Sequence, residues 1–295
     1  MIVNPADVDV GKFHGYLLGA VTPRPIAFAS TVDGEGNVNL SPFSFFNAFG
    51  SNPPTLIFSP ARRVRNNTTK HTLDNVQQVP EVTINIVSFE IVEQMSLSST
   101  EYPHGVNEFE KAGLTEEKSE KIKPPRVREA KVSFECKVNQ VIHTGDQGGA
   151  GNLIVCEVVL ARIDDSILDD EGKIDPFKLD AVGRLGGDWY ARANGPALFE
   201  VAKPLKTMGI GVDQLPANIR NSEVLTGNDL GKLGNVENLP SQEEVDKFAN
   251  EPEVSSILEY FADNPEGRTV ELHKLAREYL SNNEVENAWR TLLQS

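Results

Sequence analysis

Apolar and polar positions follow two different rhythms along the chain. As far as Tyr190, short runs rich in β-branched and aromatic side chains are separated by Gly, Asn and Pro, the punctuation of strands and turns. Pro25–Val32 reads as a strand, Asp33–Asn37 as a turn and Val38–Phe49 as a Phe-rich return strand. Thr55–Ser59, Val82–Ser88, Val132–His143 and Asn152–Ile163 extend the series, the last two joined by the glycine-rich Gly145–Gly151. Six such strands on short connections predict an antiparallel barrel or sandwich. Helical signals in this part are confined to about residues 67–78, 90–97 and 107–111, the last ahead of a C-capping Gly113; 121–128 reads as an extended crossing.

Beyond Tyr190 the rhythm changes. Residues 194–240 are punctuated by Gly and Pro without sustained periodicity and read as an arm lying over a surface. From Ser241 the spacing turns helical. Ser241 with Glu244 three residues on is a capping-box signature, and 254–261, 269–279 and 285–293 are amphipathic. The expected organisation is a mainly β domain with α elements over 1–193, an extended arm or linker over 194–240, and a small helical C-terminal extension over 241–295.

Composition bounds the partners. A chain of 295 residues with 39% hydrophobic and 24% charged side chains can bury a sizeable core. Its net charge of −15 disfavours nucleic acid and anionic membranes as partners. No stretch approaches the roughly 18 consecutive apolar residues of a membrane span, and the N-terminus lacks a basic-then-apolar leader, so a cytoplasmic location is expected. Cys136 and Cys156 stand in apolar alternating segments, which favours reduced structural thiols, with a disulfide or redox pair as the alternative. No His/Cys cluster has zinc-ligand spacing, so no metal site is expected. The charge is also uneven. Gly36 to Leu73 holds no acid, where the average frequency would place about five or six, yet it carries Arg62, Arg63, Arg65 and Lys70.

Common catalytic signatures are missing: there is no GxSxG, HExxH, Walker A, or GxGxxG between strand and helix. Gly145–Gly151 leads into a strand and reads as a hairpin loop rather than a phosphate nest. The chemistry gathers instead between residues 22 and 75. In Thr22-Pro-Arg-Pro-Ile26, Pro23 and Pro25 make a stiff mount for Arg24. Leu40–Asn47 interleaves hydroxyls with aromatic rings, Asn52-Pro-Pro54 turns sharply, and Ser59–Thr72 brings cations to a helix start. A planar ring with a phosphate tail, such as flavin mononucleotide (FMN), would use these residue types. The plainer alternative is that Phe43, Phe45 and Phe49 are barrel core and the arginines a solvated loop.

The same residues carry a family resemblance. Thr22-Pro-Arg-Pro-Ile-Ala27, Asn39-Leu-Ser-Pro-Phe-Ser-Phe-Phe-Asn47, Asn52-Pro-Pro-Thr-Leu56, Lys70-His-Thr72 with Asn75, and Glu81–Val87 resemble the flavin reductase-like family of FMN-binding split barrels, which includes flavoredoxins. Tyr102–Gly113, Pro125-Arg-Val127, Phe134–Val138 and Arg184-Leu-Gly-Gly-Asp-Trp-Tyr190 continue it in the family's order over roughly residues 10–192. The resemblance implies an FMN-binding split β-barrel over 1–193. By position, Ser44, Phe45, Phe46 and Asn47 would line the isoalloxazine and ribityl chain, with Arg24, Pro25 and Ile26 nearby. Ser59, Arg62, Lys70 and Thr72 would hold the phosphate, while His104 and Trp189 would serve as lid or stacking groups. His71 stands where the family often has an acid.

The resemblance further implies a homodimer that passes hydride from NADH or NADPH to the flavin, with a monooxygenase or a redox protein as acceptor. Direct transfer between nicotinamide and flavin needs positioning rather than a dedicated acid or base, so no catalytic acid or base is expected. A non-turnover flavin-binding, electron-carrier or scaffold protein is the alternative.

Overall fold

A computed structural model describes residues 1–205 and 207–295. The chain forms two compact units, Met1–Phe199 and Glu200–Ser295.

The first unit is built on a seven-stranded antiparallel sheet. Its strands are β1 (Ala27–Val32), β2 (Val38–Phe43), β3 (Phe46–Ser51), β4 (Pro54–Phe58), β5 (Glu81–Ile86), β6 (Val132–His143) and β7 (Asn152–Ile163). They lie in the order β2-β1-β5-β6-β7-β4-β3. The Phe-rich run that reads as one strand is therefore two, and they sit at opposite edges of the sheet. Only Ser44 and Phe45 join them. Six inter-strand spacings in a flat sheet would part those edges by about 29 Å, whereas three Cα–Cα steps reach at most about 11 Å. The sheet must therefore curl until its edges meet at Ser44–Phe45, which makes it a barrel with a seam.

β1 is buried along its whole length. Ile26 and Phe28 pack with Leu40, Met95 and Phe109, while Ala27 and Ala29 face Phe43, Phe58, Ile84 and Ile154. The second of these cores is completed by Leu73 and Val76 of α2 (His71–Gln78). This helix begins later than the Asn/Thr-rich segment suggested, because Asn67 takes a left-handed φ of 53° and the chain stays in a loop to Lys70. α3 (Val92–Leu97) and α4 (Glu108–Ala112) occupy the predicted places, and Gly113 caps α4 with φ 65°. A further helix precedes the barrel: α1 (Val10–Ala20), capped by Asp9, whose carboxylate accepts the Lys12 N–H at 2.9 Å. Buried Glu108 accepts the Leu40 N–H at 2.9 Å, so a carboxylate, not a neighbouring strand, satisfies this group of β2. Burial pushes the Glu108 carboxyl above its ordinary pKa.

The second unit is helical: α5 (Gly227–Leu233), α6 (Gln242–Phe248), α7 (Pro252–Tyr260), α8 (Pro265–Ser281) and α9 (Val285–Leu292). The Ser241–Glu244 capping box forms, and a second one joins Thr226 and Asp229. Leu215, Ile219, Leu225 and Leu233 pack with Ala276, Leu280 and Trp289 in a single core. Thus 215–233, read from sequence as part of an arm, folds with the C-terminal helices; its apolar residues lie on turns too short to show a period.

No helix among the described residues is long and apolar enough to cross a membrane. Cys136 and Cys156 are free thiols on β6 and β7. Burial pushes the Cys156 thiol up to about 12, and burial with Cys156 and Glu135 nearby pushes Cys136 up as well. Neither should react with Ellman's reagent in the native protein, and both should react after denaturation; stoichiometric labelling of the native state would show that the strands open.

Candidate functional site

The stiff mount around Arg24 is assembled from three parts of the chain. Arg24 and Arg184 exchange both backbone hydrogen bonds, at 3.0 and 2.8 Å. The approach leaves no room for a side chain at residue 183, where a Cβ would lie 2.8 Å from that of Pro23. The buried guanidinium donates to the carbonyls of Leu18 (2.7 Å), Val21 (2.5 Å) and Leu185 (3.0 Å) and to the Ser44 hydroxyl (3.3 Å). Burial and the nearby Arg184 lower its pKa from the ordinary value. Arg24 therefore ties the C-terminus of α1 and the 184–189 loop to the barrel seam. Pro25 beside it is exposed and Ile26 is buried in the core.

At the seam the side chains change sides. Phe43 is buried, but Phe45 is 39% and Phe49 63% exposed, which removes both from the barrel core. Phe45 meets His14 of α1 edge-on at 6.0 Å between centroids, and its carbonyl accepts the Ser59 N–H at 2.9 Å. Phe46 is half-buried and Asn47 exposed. Trp189 projects from the loop that Arg24 anchors and is 76% exposed.

The cationic loop is knitted to the glycine loop. Arg62 N–H donates to the Ala150 carbonyl and Gly149 N–H to the Arg62 carbonyl, at 2.9 and 3.0 Å. A Cβ at Gly148 would lie 2.9 Å from the Val64 carbonyl oxygen, so close backbone approach explains this glycine. The buried Ser59 hydroxyl accepts the Asn152 N–H at 3.0 Å. Arg62 itself is folded along the surface onto Asn67, donating to its side-chain and backbone oxygens at 2.6 Å each. Arg63, Arg65 and Lys70 all face Glu101, at 3.1, 2.9 and 3.8 Å; of the three only Arg65 stands well out, and the largely buried Arg63 guanidinium also donates to the Thr68 hydroxyl at 3.0 Å and to the Thr69 carbonyl. Burial and then Arg63 lower the Lys70 pKa, against the pull of Glu101.

Lys70 caps α2 without a side-chain bond to its first amides. The Thr72 hydroxyl faces inward, buried, and accepts from Asn39 at 3.0 Å. His71 and His104 meet edge-on at 5.5 Å, and His104 lies 3.6 Å from the buried Asp33 carboxylate. Burial, His104 and Arg63 lower the His71 pKa.

Arg24, Ser44, Phe45, Phe46 and Ser59 thus form one continuous patch, to which the glycine loop joins Arg62. Lys70, Thr72 and His104 gather at the start of α2. Glu101 escaped sequence reasoning, since it stands 31 positions beyond Lys70 and only the fold brings it to the cations. A hollow of about 560 Å³ lies elsewhere, lined by Asp33, Gly36, Glu116, Lys118 and Lys123. Of the patch only Phe45 is exposed, while Arg24 and Ser59 are buried beneath it. No cluster of metal-ligating side chains occurs among the described residues.

Arg24→Met should destabilise the first unit by about 2–4 kcal/mol in denaturant unfolding, because buried carbonyls lose their donors. A change below about 0.5 kcal/mol, within the range of a neutral surface substitution, would show that the mount stands without the guanidinium.

Comparison with known proteins identifies the family of this fold. The profile of the flavin reductase like domain matches residues 18–177. An uncharacterized protein of Aquifex aeolicus is 41% identical over 195 residues, which are 66% of this chain and 97% of that protein. Nitrilotriacetate monooxygenase component B from Bacillus cereus matches with a TM-score of 0.64 and 29% identity, covering 68% of this chain and 98% of that one. A protein with a split barrel domain from Shewanella frigidimarina gives 0.57 and 26%, covering 68% of this chain and all of the other. The chain belongs to the flavin reductase-like family, and its first unit is the split barrel of that family.

Proposed function

We propose that this chain is an FMN-binding oxidoreductase of the cytoplasm, working as a homodimer, that takes hydride from NADH or NADPH and delivers electrons to a further acceptor. The observation that carries the reading is the placement of a rigid arginine mount, a polar and aromatic seam and a cationic loop on one flavin reductase-like barrel. The donor set fits the cofactor: cations beside a helix start suit a phosphate, and exposed aromatic rings suit a planar ring.

When bound, the flavin supplies the two-electron chemistry; the chain binds and orients it. In this reading Lys70 and Arg63 hold the phosphate, and Thr72 contributes through its backbone N–H because its hydroxyl is already engaged inside. Ser59 and Arg62 shape the loop that carries these cations. The backbone of Ser44–Asn47 meets the polar edge of the ring system, Phe45 and Trp189 lie against its faces, and His104 flanks the entrance. Exposed Phe45, Phe49 and Trp189 favour a second copy of the chain as cover, since apolar patches of this kind mark interfaces. Likeness to a monooxygenase component B supports a monooxygenase or redox protein as the acceptor.

Lys70→Ala should weaken FMN by about tenfold or more while changing riboflavin by less than about twofold, because only FMN bears the phosphate; fluorescence titration of both flavins reads this. Equal losses would place the lysine outside the phosphate subsite. Mixing the FMN-loaded protein with NADH or NADPH in a stopped-flow instrument should bleach the flavin absorbance, and an unchanged spectrum would leave a flavin binder without turnover.

A further inference from the structure

Three cations of the Arg63–Lys70 loop already hold an anion, and it belongs to the chain. One Glu101 oxygen lies 3.1 Å from Arg63 Nε and 3.8 Å from Lys70 Nζ, and the other lies 2.9 Å from Arg65 Nη2. Among the described residues the carboxylate makes no other side-chain hydrogen bond. Burial alone would raise its pKa, but Arg63, Lys70 and Arg65 hold it below the ordinary carboxylate range. Glu101 follows α3 on a separate stretch of chain, and its side chain is 46% exposed, so it is free to rotate away.

We propose that Glu101 is a built-in competitor for the phosphate subsite, resting on the FMN-binding reading above. A carboxylate brings one charge and two oxygens to three cations. A phosphate monoester brings nearly two charges and three oxygens, and so displaces it. A weaker anion, such as a carboxylate or a phosphodiester, gains less and leaves Glu101 in place. The loop thereby stays ordered without ligand, and the site selects flavins ending in a phosphate monoester over those without one.

The experiment compares wild type with Glu101→Gln, an exposed and nearly isosteric change, by titrating FMN and riboflavin at low salt. Removing the competitor should tighten FMN by about tenfold, the joint worth of a few exposed ion pairs, and leave riboflavin within about twofold. Unchanged FMN affinity in the variant overturns the proposal. So does weaker FMN binding, which would make Glu101 an organiser of the loop. Equal tightening of both flavins also overturns it, because the effect would not involve the phosphate. If wild type binds neither flavin, the FMN reading itself falls, a result distinct from wild type binding FMN while the variant matches it.

Discussion

The constraint on which the first unit depends is the two-residue link between opposite edges of its sheet. β2 and β3 can be joined by Ser44 and Phe45 only if five other strands curl between them. That curvature sets the barrel, and it also decides where polar chemistry can appear. A seam is where the ladder ends and backbone groups have no neighbouring strand. Arg24 fastens it by donating to Ser44 while holding α1 and the 184–189 loop in the same grip. One buried cation therefore positions elements drawn from residues 18 to 185, and the face it organises is the one carrying Phe45 and Trp189.

A second dependence links two loops distant in sequence. The cationic segment after β4 owes its shape to the hairpin between β6 and β7. Arg62 is bonded to Ala150 and Gly149 through the backbone, and Gly148 is small because Val64 presses on it. The glycines of this hairpin thus do more than make a turn: they admit the neighbouring loop. Within that loop the cations divide their work, Arg62 bracing Asn67 while Arg63, Arg65 and Lys70 gather around Glu101.

Much of this was legible from local pattern. Strand positions, the Gly113 cap and the Ser241 capping box rest on period and capping chemistry, which short windows contain. The split of Val38–Phe49 was not seen because its Phe residues keep two-residue spacing across the seam; the Phe45–Phe46 doublet, which breaks alternation, is the trace it leaves. α1 was hidden by Gly11, Gly15 and Gly19, although Asp9 offered a cap. The family motifs named Arg62 and Thr72 as ligands by position, whereas their side chains point to Asn67 and Asn39. Orientation of that kind, like the meeting of Glu101 with Lys70, follows from packing between distant segments and has no local sequence signature.

The buried carboxylate of Glu108 has a consequence for how the barrel meets other chains. It accepts the Leu40 N–H, and so closes a donor on the outer side of β2 to any incoming strand. β3, at the other edge, is exposed from Asn47 to Ser51. The two lips of the seam are therefore unequal. One has a backbone donor closed by a buried acid, the other has one closed by the exposed Asn47 side chain, whose oxygen accepts the Ala48 N–H at 2.8 Å.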